Sequence, residues 1–336
     1  MPAQISDETV EAISIQLREL TIAQRRPFAV VLHGGEPLLL GVRKLERIIG
    51  RLRVALSAEC AISLQTNGIL ISNDLLSLCS RTRTTISLSL DGPRHVHDKN
   101  RVGHSRLGTY DQVLRGLQLL REHRDSEFLF TGLLAVVDPE SDPEEIYQFF
   151  KGLDAPSLDF IYRDGNHSKL PFKKKSVHST EYGQWMSRLL GAYLADSEPI
   201  RIRVLDDLIK LMLGGTGTKD GVGLTDYAVL IIDTDGTITK NDTLKSSFDG
   251  ADRFAQNWSI HTDPLPQVLS SAEFAEYQAS QRPTAKICLD CPELNVCGGG
   301  MMLHRWRDDN GYDNPSVYCA DQKLLIGTIR EYLKRF

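Results

Sequence analysis

No apolar run in the sequence approaches the roughly 18 residues that a membrane-spanning helix needs. The opening residues, MPAQISDETVEAI, lack the basic stretch and apolar core of a secretory signal, so the chain reads as cytoplasmic with no membrane partner. There is no long basic block: 39 Lys and Arg stand against 44 Asp and Glu, a net charge of −5. That balance excludes nucleic acid as a main partner. No internal repeat or low-complexity tract occurs. What remains is an ordinary globular composition, 41% hydrophobic and 25% charged over 336 residues, enough for about two domains of roughly 150 residues each.

Cysteine is scarce but not scattered. Cys60 and Cys79 stand alone and read as buried small hydrophobes, whereas Cys288, Cys291, Cys297 and Cys319 cluster near the end. A CxxC pair aims two thiolates at one centre, and the glycines after Cys297 let the backbone approach closely. In an acidic, signal-free chain this favours a metal over disulfides. Four thiolates suit tetrahedral zinc or an iron–sulfur cluster, and the spacing does not choose between them.

Helix and strand signals alternate along the first half. Ser6 before Asp7 and Glu8 marks a helix start, with Val10, Ile13, Leu17 and Leu20 on one face. Phe28 to Leu32 reads as a buried strand. Helices are expected near 43–55, 73–79 and 110–122, and strands at 61–64, 85–90 and within 128–137. Asp142-Pro143-Glu144-Glu145 opens a further helix with proline at its first position, and a strand from Leu158 to Tyr162 closes the series. The alternation predicts a parallel sheet covered by right-handed crossovers, in a series that begins with a helix.

Residues 166–225, rich in Gly, Lys, Ser and Thr, read as a bridging region with helices near 180–195 and 201–213. From Tyr227 a strand meets the turn Asp233-Thr234-Asp235-Gly236 and the run TITK, a hairpin pattern. The last helix carries Leu324, Leu325, Ile329 and Leu333 on one side. Lys173-Lys174-Lys175 reads as a solvated face, and His95, His97 and His104 show no ligand spacing.

Three polar motifs follow predicted strands: His33-Gly34-Gly35-Glu36-Pro37, Gln65-Thr66-Asn67-Gly68 and Ser89-Leu90-Asp91-Gly92-Pro93. Ligands of parallel α/β folds sit at the carboxyl ends of strands, so the three outline one site. The paired glycines open the backbone to a small ligand, Glu36 is placed to accept from an ammonium group, and Ser89 to bond a hydroxyl or carboxylate. Arg101 is a two-point clamp for a carboxylate.

Together these residues resemble the radical S-adenosylmethionine (SAM) enzymes that carry a SPASM-type C-terminal domain. GGEPLL, QTNG and SLSLDGP followed by HDKNR are similar to the SAM-binding strand ends of that group. IDTDGTITKNDTLKSSFDGA, CLDCPELNVCGGGMMLHRW and NGYDNPSVYCADQ are similar to its C-terminal domain. Within the group the chain resembles the FxsB-like branch, which includes maturases that form cyclophane crosslinks in ribosomally made peptides.

The resemblance implies an α/β fold in three parts. Residues 1–165 would form a partial (β/α)6 radical SAM barrel missing its first strand, 166–225 a bridging region, and 226–336 a small α+β SPASM-like iron–sulfur domain. It further implies that Gly34, Gly35 and Glu36 hold the SAM amino group, that Ser89 and Arg101 hold its ribose and carboxylate ends, and that Gln65 or Asn67 lines the pocket. Cys288, Cys291, Cys297 and Cys319 would carry one auxiliary [4Fe–4S] cluster, with Asp242 as a desolvated general base. The implied partners are a precursor peptide and an electron donor such as a flavodoxin or ferredoxin.

Two departures qualify the resemblance. The CxxxCxxC loop that holds the SAM-cleaving [4Fe–4S] cluster is absent, and Cys60 and Cys79 cannot replace it. That cluster is therefore expected only with an N-terminal extension, which would make Met1 an internal position. The alternatives are a non-catalytic scaffold binding peptide and SAM, or a zinc-stabilised binding protein. Lys240, Asn241 and Met301 stand where many relatives have cysteines, so one auxiliary cluster is expected rather than two. Trp306, with His304 and Arg305, is expected either to line a peptide groove or to pack against the cluster loop.

Overall fold

Ser6 caps the first helix as its position predicts: its hydroxyl accepts from the Thr9 N–H at 3.0 Å and opens α1 (Asp7–Gln24). The computed structural model describes residues 4–24, 26–103, 105–225 and 229–335. The expected strand start at Tyr227, and His104, lie outside the described residues. After α1 come β1 (Ala29–Leu32), α2 (Val42–Ala55), β2 (Ala61–Thr66), α3 (Asn73–Arg81) and β3 (Thr84–Ser89). They are followed by α4 (Tyr110–Glu122), β4 (Phe130–Val136), α5 (Pro143–Gly152) and β5 (Leu158–Ile161). The expected strand within 128–137 starts late, because Ser126–Leu129 form a helical turn ahead of β4.

The five strands pair in parallel and in chain order, β1-β2-β3-β4-β5. Side chains alternate between faces with period two. Ile62, Leu64, Ile86 and Leu88 are wholly buried, while Ser63, Gln65, Ser87 and Ser89 on the other face are half-buried and polar. The helices cover the first face. The second is left polar, and it leads to the strand ends where the three motifs lie.

The two edges of the sheet differ. β1 is not the buried strand that its composition predicts: Val31 is 51% exposed, and no strand pairs with the outer side of β1 among the described residues. At the other edge the Leu158 N–H donates to Arg201 O at 2.8 Å, so the segment before α7 (Arg203–Met212) covers β5. α6 (Glu181–Ala195) precedes that segment. The rest is a hairpin of two-residue strands, β6 (Ile231–Ile232) and β7 (Ile238–Thr239), then α8 (Leu265–Ser270), α9 (Ala272–Ser280) and α10 (Cys319–Leu333).

Lys174 corrects the reading of 173–175 as a solvated face. It is buried, donates to Ser179 O at 2.7 Å, and pairs with Asp321, which is wholly buried on α10. Asp321 Oδ1 also accepts the Gly183 N–H of α6 at 2.8 Å. On the same side of α10 as Asp321, Leu325, Ile326 and Ile329 turn inward, while Leu324 is 37% exposed rather than on the packed side.

Two apolar cores result, and both cut across the chain. One joins β2–β5 and their helices to α6, α7 and α10, through Leu189, Leu205, Leu325 and Ile329. The other joins Val10, Leu17 and Leu20 of α1 and Ile48 and Leu52 of α2 to Ile238, Phe254, Trp258, Val268 and Phe274.

Candidate functional site

The strand-end site is a chain of polar contacts running from β1 to β4. Glu36 follows β1 in extended conformation and caps the 3-10 turn Pro37–Leu40. Its Oε1 accepts from the Leu38 N–H at 3.0 Å and the Thr66 hydroxyl at 2.7 Å, and its Oε2 accepts from the Asn67 N–H at 2.8 Å. A carboxylate has about four acceptor positions, so one remains for a ligand. A methyl added at Gly34 or Gly35 would meet nothing within 4 Å, so the backbone beside Glu36 faces open space. Gln65 Nε2 donates to Ser89 Oγ at 3.0 Å, joining β2 to β3. The Asn67 side chain turns back to accept its own loop's Ile69 N–H at 3.0 Å, which leaves its amide nitrogen as a donor.

Arg101 is not the free clamp that the sequence suggests. Its Nε and Nη2 close on Asp91 at 2.7 and 2.9 Å, and only Nη1 has no hydrogen bond among the described residues. Asp91, which the sequence reading gave no role of its own within the third polar motif, is the pivot here. It is buried, and its Oδ1 also accepts the Val136 N–H at the end of β4, at 3.1 Å. Its backbone N–H bonds His97 Nδ1 at 3.3 Å, and burial pulls the pKa of His97 down. The sequence signal for Asp91 was its place just past a strand, beside an arginine ten residues on.

The second site is built from three turns and a helix. Cys288 lies in the turn Lys286–Leu289, Cys291 just beyond it, Cys297 at the end of the turn Leu294–Cys297, and Cys319 is the first residue of α10. All four are free thiols. Each of Cys288, Cys297 and Cys319 feels the charge of others in the set, and Cys291 acts on all three. Burial pushes all three thiols up, Cys297 to about 12, while the Gly299 N–H donates to the Cys297 sulfur and opposes the rise. Gly298, Gly299 and Gly300 all have left-handed φ, and a methyl at Gly298 would sit 2.0 Å from Gly223 O. The glycine-rich stretch at 214–225 thus packs on the cysteine loop, with the Gly223 N–H on Val296 O at 3.0 Å.

An all-thiol donor set with a backbone N–H on one sulfur and cations around it fits a metal–thiolate centre. Arg305, Lys323 and Lys174 are those cations. Among the described residues no three His, Cys, Asp or Glu side chains converge closely enough to hold a single metal ion.

Asp242 does not meet the expectation of a desolvated base. It is exposed at the start of the 3-10 turn Asp242–Ser246, and its carboxylate has no hydrogen bond or ion pair among the described residues. The raised carboxyl nearby is Asp233, lifted by burial and by the charges of Asp235, Asp252 and Asp242. Trp306 packs between Phe248 and Tyr312, with ring centroids 4.6 and 4.9 Å away. His95 lies against Glu145 at the surface.

The radical SAM superfamily model matches residues 4–151. The cysteine-type anaerobic sulfatase-maturating enzyme of Clostridium perfringens (strain 13 / Type A) is 25% identical over 298 residues, covering 86% of this chain and 78% of that protein. The serine-type enzyme of Klebsiella aerogenes is 33% identical over 147 residues, covering 41% of this chain and 34% of its own. The solved structure of native anSMEcpe with bound AdoMet and Cp18Cys peptide superposes with a TM-score of 0.84 at 22% identity, covering 98% of this chain and 90% of that one. That of Streptococcus suis SuiB bound to S-adenosylmethionine gives 0.56 at 13%, covering 90% and 68%. These two likenesses establish the fold. Residues 4–151 are a radical SAM domain, in a chain homologous to the anaerobic sulfatase-maturating enzymes.

Proposed function

We propose that this chain is a peptide maturase that binds SAM at the ends of β1–β3, holds one auxiliary [4Fe–4S] cluster on Cys288, Cys291, Cys297 and Cys319, and forms a crosslink between side chains of a ribosomally made peptide. The observation that carries this is the pairing of two sites in one fold: an open glycine backbone beside Glu36, and four free thiols ringed by cations. The peptide-bound relative supports a peptide as substrate.

When bound and reductively cleaved, SAM supplies a radical that removes hydrogen from a carbon. The chain's own residues bind and orient. The remaining acceptor position of Glu36 and the carbonyls of Gly34 and Gly35 receive the SAM ammonium group. Arg101 Nη1, held in place by Asp91, meets its carboxylate, and Ser89 with Gln65 and Asn67 lines the ribose side. The polar face of Ser63, Gln65, Ser87 and Ser89 carries the peptide toward it. No CxxxCxxC occurs among the six cysteines, so no residues here fit the cluster that reduces SAM, and an electron donor such as a flavodoxin or ferredoxin would act through cysteines beyond these six.

The homology to cysteine-type sulfatase maturases favours a second reading, maturation of a peptide at one cysteine without a crosslink. Mass spectrometry of the peptide matured in the native host separates the two. The proposed product has lost two hydrogens, one to the SAM-derived radical and one as a proton whose electron the auxiliary cluster would accept, and fragments as a closed ring, whereas a changed cysteine in a linear peptide supports the second reading. In the same assay Cys291→Ala should abolish both the auxiliary cluster and the product; an undiminished product yield would remove the cluster from the reaction.

A further inference from the structure

Arg305 is among the largest fully buried side chains of the protein, 1% exposed. Its Nη2 donates to Ser280 O and Gln281 O, both at 2.9 Å, but its Nε is buried without a partner and it makes no ion pair among the described residues. A guanidinium taken out of water without a carboxylate is strongly unfavourable, so something must offset it. The groups whose negative charge reaches it are Cys288, Tyr312, Asp220 and Cys297. Cys288 is the largest of these, ahead of Tyr312, Asp220 and Cys297. Gln281, one of the residues holding Arg305, shares the wall of a cavity of about 30 Å³ with Gly298 and Gly300 of the cysteine loop. Of the other two cations, Lys323 is exposed and Lys174 is already paired with Asp321.

We propose that Arg305 is the buried counter-cation of the iron–sulfur site, its charge acting on Cys288 and Cys297 and setting the cluster's reduction potential. The inference rests on the reading of the four cysteines as cluster ligands. A four-iron cluster on four thiolates is anionic and gains one more negative charge on reduction, so a fixed cation favours the reduced form. In the metal-free protein the same cation is uncompensated and opposes folding.

The test uses the full chain, reconstituted anaerobically with iron and sulfide, as wild type, Arg305→Gln, Arg305→Lys and Cys291→Ala. The readouts are the midpoint potential followed by electron paramagnetic resonance, the rate of iron loss to a chelator, and Tm with and without metal. Arg305→Gln should move the potential to more negative values and speed iron loss, while raising the Tm of the metal-free protein. Arg305→Lys should keep the wild-type potential. An Arg305→Gln potential and iron-loss rate equal to wild type, or an equal fall in Tm with and without metal, would overturn the proposal. If Arg305→Gln does not accumulate, Arg305→Lys decides: a retained potential supports the charge, and a negative shift overturns it. A wild type that takes up no iron overturns the cluster reading and this inference together. A wild-type cluster lost in Cys291→Ala but unmoved in Arg305→Gln overturns this inference alone.

Discussion

Glu36 and Gly35 sit side by side yet carry different loads, and their substitutions should separate binding from folding. Glu36→Gln replaces a carboxylate that takes three donors, so stability should fall by about 1–2 kcal/mol and SAM affinity at least about tenfold, read by urea melts and equilibrium dialysis. Gly35→Val adds bulk into open space; the melt should be unchanged and SAM binding lost. His304 gives a pH signature. Burial, reinforced by the charge of Arg305, lowers its pKa from 6.5 to about 3, so the unfolded chain takes up a proton that the folded one refuses. This contribution to stability is complete above about pH 6.5 and is lost as pH falls toward 3. His304→Gln should flatten the urea midpoint against pH across that window; an unchanged slope would refute the assignment. At this scale the sequence was legible where a local pattern decides the outcome, such as the Ser6 cap or the buried, isolated Cys60 and Cys79. It was not legible where the use depends on a partner: Asp91 had no role of its own until its arginine and the β4 amide were in view, and Asp242 read as desolvated until its exposure was.

The inward face of helix α10 combines one buried ion pair with its apolar residues Leu325, Ile326 and Ile329. Lys174→Met would leave Asp321 buried and unpaired, at a cost of about 3–5 kcal/mol, whereas Lys174→Met with Asp321→Leu should recover most of it; urea denaturation of the single and double variants measures this. Element boundaries in the first half were legible because their signals are local: the Ser6 cap, the Asp142-Pro143 start, and the period-two strands. The reading failed at contacts distant in sequence. Lys174 meets Asp321 across 147 residues, which no local pattern carries, and so the lysine triplet read as solvated; on α10 only Leu324 departs from the expected packed side. β1 read as buried because AVVL is apolar, although nothing in its own four residues says which edge of a sheet they occupy. The glycine-rich stretch at 214–225 read as a bridge because glycine marks both slack chain and close packing, and here it packs.

The whole molecule is held by two cores, each of which needs both ends of the chain. Residues 1–165 and 166–336 expressed separately should each lack near-ultraviolet circular dichroism and regain it on mixing, because the cut divides both cores; native spectra from either piece alone would show that one core suffices. The α/β class was legible at this scale. The interlocking was not, since it depends on α1 packing beneath a region more than two hundred residues away. That arrangement also has a consequence in time. Gln16 accepts the Leu265 N–H at 3.0 Å, across 249 residues. At the pace of a ribosome, Val10, Leu17 and Leu20 wait roughly 10–50 s for the surface that will cover them. Throughout that interval only α2 is at hand to cover the apolar face of α1, and whatever shields the remainder protects the nascent chain until synthesis is done.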